Sequence, residues 1–317
     1  MDYWQNQIMR EGFTRRHFIK VLFALGIGTS ISPNLPSLLN SVSEAGETGE
    51  RPDIAVAHGS SPGRITEAAV IALGGIKRFI SRGDVVFVKP NISWDRVPEQ
   101  AATTHPDVVG KVVEMCFQAG AKEVKVSDNT LNDPRRCFVR SGIEKAVKEA
   151  GGKAFFMDDR KFKEVDIKGE IIQSWPVYKD ILEADKIINL PIAKHHSLSR
   201  LTMGMKNWIG AIGGSRNILH QKIHASIVDF AIFFKPTLTI LDAVRILTRG
   251  GPQGGSLGYV KRMDTVIAGV DEVAIDSYGA TLFGLAGKDL GYVRLAHKRG
   301  VGTMDFHKLA VEKLEIG

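Results

Sequence analysis

The chain has 317 residues, is 44% hydrophobic and 24% charged, and carries a formal net charge of +7. That balance fits a globular protein and lies far from the low-hydrophobicity, high-charge signature of disorder. Its 42 basic residues form no Lys/Arg block interleaved with aromatics, which argues against a nucleic-acid face, and two cysteines are too few for an iron–sulfur cluster held by the chain's own thiolates alone.

The first feature in chain order is Thr14-Arg15-Arg16-His17-Phe18-Ile19-Lys20, followed by an apolar stretch over residues 21–28. It resembles a twin-arginine export signal, which is targeting sequence rather than fold. The resemblance implies a protein that folds in the cytoplasm, engages the twin-arginine export machinery and ends in the periplasm or otherwise outside the cytoplasmic membrane. The apolar stretch is short for a membrane span. Membrane contact is therefore expected only through the signal region, if it stays uncleaved. Residues 1–45 are assigned to the signal region and 46–52 to a Gly- and Glu-rich linker. Residues 53–317 are assigned to a single α/β domain, or to two subdomains meeting near residues 158–185.

Beyond the linker, residues 53–58 read as a strand and residues 64–80 carry apolar side chains at helical spacing. Val85-Val86-Phe87-Val88 is a short all-apolar run, as expected of a parallel strand covered on both faces. Thr104-x-x-Asp107 reads as a capping box opening a helix over 106–118, with Cys116 on its apolar side. A strand follows at 123–127, a helix at 135–150 broken at Gly142, and a strand at 154–157. Further strands are read at 186–190, 237–241 and 264–268, with helices at 218–234 and 271–283. This alternation predicts an α/β fold: a mostly parallel, doubly wound sheet with helices on both faces. No strand is followed by Gly-x-Gly-x-x-Gly, and the phosphate-loop motif is absent, so neither nucleotide-binding signature is present.

In open parallel sheets, ligands bind beyond the carboxyl ends of the strands. Lys89-Pro90-Asn91, Ser127-Asp128-Asn129, Lys194-His195-His196 and Asp242 all stand at such ends. They are expected to converge on one cleft. Adjacent His195 and His196 point in opposite directions on an extended chain, so one of them is expected in the cleft. The segment 201–214 is apolar yet carries Lys206-Asn207 in its middle. It reads as a helix edge that brings Lys206 to an acidic ligand. His105 opens a helix whose free N–H groups favour an anion. His220-x-x-x-His224 has the spacing that places two imidazoles on one helical face, a candidate divalent-metal pair.

Lys89-Pro90-Asn91, Thr103-Thr104-His105-Pro106, Ser127-Asp128, residues 184–191, Lys194-x-His196-Ser197, Lys206-Asn207-Trp208-Ile209-Gly210, Gly250-Gly251-Pro252 and residues 271–276 together resemble the domain-of-unknown-function 362 family. The resemblance implies that Lys89, His105, Asp128, Lys194, His196, Lys206, Asn207, Asp242, Asp271 and Asp276 are the recurrent polar positions. It assigns them no reaction. Some relatives carry fused ferredoxin-like cysteine motifs, which this chain lacks.

The expectation is an exported, redox-associated enzyme or enzyme-like protein that binds a small anionic ligand or metal cofactor. His196, Asp128 and Lys206 are the catalytic candidates. Lys89, Asn91, His105, Lys194, His195, Asn207, Asp242 and Asp276 are the candidate binding residues. The alternative is a non-catalytic binding or maturation accessory of an exported redox complex, with a redox partner protein.

Overall fold

In the computed structural model, residues 51–317 are described; the readings for residues 1–45 and for all but the last two linker residues lie outside the described residues. The strands of the first half are β1 (Ile54–Gly59), β2 (Val85–Pro90), β3 (Glu123–Val126), β4 (Lys153–Ala154), β5 (Phe162–Asp166) and β6 (Ser174–Tyr178). Those of the second half are β7 (Lys186–Leu190), β8 (Ile192–His196), β9 (Arg200–Thr202), β10 (Leu238–Leu247), β11 (Val260–Gly269) and β12 (Val311–Ile316). The helices are α1 (Pro62–Ala72), α2 (Pro106–Gln118), α3 (Pro134–Arg140), α4 (Ile143–Glu149) and α5 (Lys179–Leu182). They continue with α6 (Gly204–Asn207), α7 (Ile223–Phe234), α8 (Glu272–Thr281) and α9 (Gly291–Lys298).

The main sheet runs β12-β1-β11-β10-β7-β2-β3-β4. Pairing is parallel from β10 through β7, β2 and β3 to β4, and antiparallel where β11 meets β1 and β10. β8 continues beside β10, and β9 folds back on β8. The chain steps outward from β2 to β3 and β4, then returns to lay β7 on the other side of β2. Strand order therefore reverses between β2 and β7, the place where open α/β sheets leave a crevice.

Apolar periodicity explains the layers. Val86 and Val88 of β2 face one core with Ile65 and Ala69 of α1, Val109 and Val112 of α2, and Val147 of α4. Phe87 faces the other core, with Ile227 and Phe230 of α7, Val273 of α8 and Val293 of α9. Helices thus cover both faces. On α2, Val108, Val109, Val112, Val113 and Cys116 share one stripe and are completely buried. Each such valine contributes about 1.5–3 kcal/mol relative to exposure.

Some boundaries differ from the sequence reading. α1 stops at Ala72 rather than 80, because Gly74 and Gly75 take φ of 99° and 80°, open to glycine at little cost. α2 is capped by His105, whose Nδ1 accepts from the Asp107 N–H, not by Thr104. Thr104 Oγ1 instead accepts from Asn91 N and donates to the Leu190 carbonyl, tying the β2 exit to the β7 exit. The helix expected at 218–234 begins at Ile223, and residues 216–222 form a 3-10 turn. β10 and β11 are each ten residues long, twice the expected span.

Candidate functional site

Lys89 closes the regular part of β2 and stands in register with Asn189 of β7, across the switch point. Both side chains are fully buried. Lys89 Nζ donates to Asp128 Oδ1 at 2.6 Å, to Asn207 Oδ1 at 3.1 Å and to the Pro90 carbonyl at 2.9 Å. Asp128, just past β3, also accepts from Ile92 N at 2.6 Å and Ser93 Oγ at 3.3 Å. Burial lowers the Lys89 pKa, and the Asp128 charge opposes that shift. Gly210 packs directly over this pair: a Cβ there would collide with Asp128 Oδ1 and Lys89 Nζ.

A cavity of about 260 Å³ opens above it. Its polar lining comes from Asn91, Lys194, His196, Thr202, Lys206, Asn207, Arg216 and His220, and its apolar wall from Trp94, Leu131, Leu198, Ile209 and Pro252. No acidic side chain among the described residues lines it. Lys194 Nζ is held by Asn91 Oδ1 at 2.9 Å and the Ala102 carbonyl at 2.5 Å. Burial, and after it the Lys206 charge, holds the Lys194 pKa well below the usual lysine value. Arg216 spends its guanidinium on the carbonyls of Asn129, Ile209 and Thr130.

Lys206 differs from its neighbours. It is 8% exposed and its amine has no hydrogen-bond or ion-pair partner among the described residues. Burial first, then Arg216 and Lys89, push its pKa down to about 8. Thr202 Oγ1 and Trp94 Nε1 are buried on this cavity without a partner among the described residues, whereas the Lys206 amine is open to it.

His196 Nδ1 accepts the N–H groups of Leu198 and Ser199 at 3.1 and 3.3 Å. That pattern assigns the ring proton to Nε2. Burial, reinforced by Lys206, lowers its pKa to about 3, so the ring is a neutral donor. His220 lies 6.4 Å from it, centroid to centroid.

The other candidate residues are brought near this site in supporting positions or directed elsewhere. Asn207 is a hub: Nδ2 donates to the Lys89 carbonyl and to Asn189 Oδ1, while Oδ1 accepts from Lys89 and Asn91. Asp276 accepts from Gly204 N at 2.6 Å and Met205 N at 3.1 Å, fixing the first turn of α6 that presents Lys206. Asp242 accepts from His105 N and Val244 N and does not line the cavity. His105 caps α2 and also lies outside it. Asp271 caps α8. His195 turns to the opposite side of β8, where it accepts from Gly251 N and lines a second cavity.

His220 and His224 do not share a helical face. His220 sits on the 3-10 turn facing His196, whereas His224 on α7 stacks on Tyr292 at 6.4 Å. Among the described residues no three His, Cys, Asp or Glu side chains cluster as a metal would need. The surplus of positive charge around the cavity further disfavours a cation there.

Sequence reasoning missed Arg216, Thr202, Trp94, Asn189 and Glu272. Glu272 is buried behind α6 and accepts from Trp208 Nε1, Asn189 Nδ2 and Thr239 Oγ1. Burial outweighs these bonds and raises its pKa to about 7. The only local signal for Arg216 was a lone basic residue after Gly213-Gly214-Ser215.

A family model described as Domain of unknown function (DUF362) matches residues 86–281, and the chain belongs to that family. A thylakoid-associated protein of Synechocystis sp. is 25% identical over 219 residues. The match spans 64% of this chain and 64% of that protein, just under two thirds of the relative's length. Among solved structures, the lactate racemase apoprotein from Thermoanaerobacterium thermosaccharolyticum is similar over 73% of this chain and 57% of its own, with 12% identity and a TM-score of 0.46. A protein from Thermotoga maritima is similar over 75% of this chain and 60% of its own, with 12% identity and a TM-score of 0.38.

Proposed function

We propose that this member of the DUF362 family is an exported, enzyme-like protein that binds a small organic anion in the cavity at the β2–β7 switch point. One observation carries the reading: among the described residues, a lysine on a buried side chain, its amine without a partner, lines a cavity that has no acidic side chain. Three basic groups, Lys194, Lys206 and Arg216, line it, and beneath it the buried carboxylate of Asp128 answers Lys89. Burying uncompensated charge is costly, and an anion supplies the missing counter-charge.

The apolar wall favours a carboxylate with a short hydrocarbon body over a bare inorganic anion. The volume is below the ~300–1,000 Å³ of drug-sized sites, so the ligand is small. Lys206 and Arg216 neutralise it, and the His196 Nε2–H donates to it. Asp128, held by Lys89 and by Ile92 N, serves as scaffold rather than as a base.

The test is thermal unfolding with propionate or phosphate present, together with Trp94→Phe to assign any fluorescence change. Propionate is expected to raise the Tm more than phosphate, and Lys206→Ala to remove the rise. Equal, weak shifts that survive Lys206→Ala would sink the assignment. Export rests on residues 14–20. Replacing Arg15 and Arg16 by Lys is expected to retain the precursor in the cytoplasm, and unchanged fractionation would remove that part of the proposal.

A further inference from the structure

Three buried lysines stand near one another, and only Lys89 is paired with a carboxylate, Asp128, so their amines are not equivalent. Lys89 Nζ has three acceptors and Lys194 Nζ has two. Both ammonium groups are held by oxygen atoms that also direct them away from a reactive role. Lys206 Nζ has no acceptor among the described residues, and its side chain lines the cavity. An amine on a buried side chain, beside cationic neighbours and without a protein acceptor, is the setting in which lysine becomes a nucleophile.

The groups nearest to it suit a two-part ligand. Arg216 brings positive charge to the same cavity, and His196 offers a neutral N–H donor. Thr202 Oγ1 is buried there without a partner among the described residues. A carboxylate answers the charges, and an adjacent carbonyl answers the N–H and hydroxyl donors. Resting on the anion-binding reading above, we propose that Lys206 forms an imine with the carbonyl carbon of a small 2-oxo acid bound in this cavity.

The step balances without an oxidant or reductant. The Lys206 nitrogen lone pair forms the N–C bond, the carbonyl C–O bond breaks, and the oxygen leaves as water with the two amine protons. The charged groups facing Lys206 are Arg216 from the 3-10 turn, Lys89 from β2 and Lys194 from β8, with Asp128 behind Lys89 and the neutral His196 and His220 beside the cavity. Burial first, and then the Arg216 and Lys89 charges, keep about one Lys206 in ten unprotonated at pH 7, against about one in 3,000 for an ordinary lysine.

The experiment incubates the full chain with pyruvate and sodium cyanoborohydride, then reads intact mass and the modified peptide. Propionate, which lacks the carbonyl, serves as competitor and as the probe of anion binding by thermal shift. The expected result is one adduct, of pyruvic acid less one oxygen, on Lys206. It is suppressed by propionate and absent in Lys206→Arg, while the propionate shift of the unaltered chain reports the anion site separately. A propionate shift with no adduct, or with adducts spread over surface lysines, overturns the imine and leaves the anion site standing. The absence of both shift and adduct overturns both readings. If Lys206→Arg fails to fold, the distribution of label in the unaltered chain still decides between them.

Discussion

Asn207 and Asn189 join two buried groups of charged residues that the fold treats in opposite ways. Behind α6, Glu272 and Asp276 are carboxyl groups without a cationic partner among the described residues. Their oxygens are met by neutral donors: Trp208, Asn189 and Thr239 for Glu272, and the N–H groups of Gly204 and Met205 for Asp276. Burial raises both pKa values, that of Asp276 further by the neighbouring Glu272. In front of α6, Lys206 has no such partner and faces open space. A buried polar group that is fully bonded builds structure; one left unbonded in a cavity points to something that binds there.

Breaking the satisfied part of the basic group has the largest expected effect. Asp128→Ala strips Lys89 of its counter-charge and frees Ile92 N, and is expected to cost about 3–5 kcal/mol in chemical denaturation. A cost no larger than that of a surface substitution would mean the pair is not the scaffold of the cavity.

The acidic group should declare itself through pH. A raised carboxyl pKa binds its proton more tightly in the folded state. Glu272 therefore stabilises fully below its unfolded value of about 4.5 and loses that contribution as pH rises through about 7. The change is on the order of 3 kcal/mol across that window, and Glu272→Gln should flatten it. His196 acts with the opposite sign. Its pKa is depressed to about 3, so its contribution is present above pH 6.5 and is lost as pH falls toward 3. His196→Asn should remove this acid-side loss while leaving the Glu272 slope. If both variants flatten the same limb of the stability–pH curve, the two groups are not separated as described.

Gly210→Ala tests close packing rather than charge. The added methyl must displace Asp128 or Lys89, and overpacking of this kind costs about 1–3 kcal/mol. The smallest effect in energy is the most specific. Lys206→Ala is expected to lower propionate affinity about tenfold, roughly 1.4 kcal/mol, while leaving denaturation of the ligand-free protein unchanged or improved, since an uncompensated buried charge is removed. A destabilised ligand-free variant would move Lys206 into the satisfied class with Lys89.

Much of the fold was legible because its signals are local. The apolar run of β2, the valine stripe of α2 and the break at Gly142 between α3 and α4 need only neighbours a few residues away. The hairpin β5–β6 and the edge strand β12 were missed although alternating sequences such as Val311-Glu312-Lys313-Leu314-Glu315-Ile316 were there to be read. The site was legible as a set of strand ends, but its division of labour was not. Asp242, read as a strand end, lies inside the longer β10, and it and His105 bond to backbone N–H groups and stay behind the cavity.

What the sequence determined by itself is therefore the inventory: which runs become strands, which positions carry lysine, histidine and aspartate at their ends, and where glycine allows a close approach. Those properties depend on residue type and short-range spacing. Only the tertiary structure decided that Lys89 finds Asp128, 39 residues on, because β2 and β3 lie side by side, and that Lys206 finds no partner among the described residues. A lysine's charge, proton affinity and reactivity are set by what surrounds its amine in space, and strand order, not chain order, chooses those neighbours.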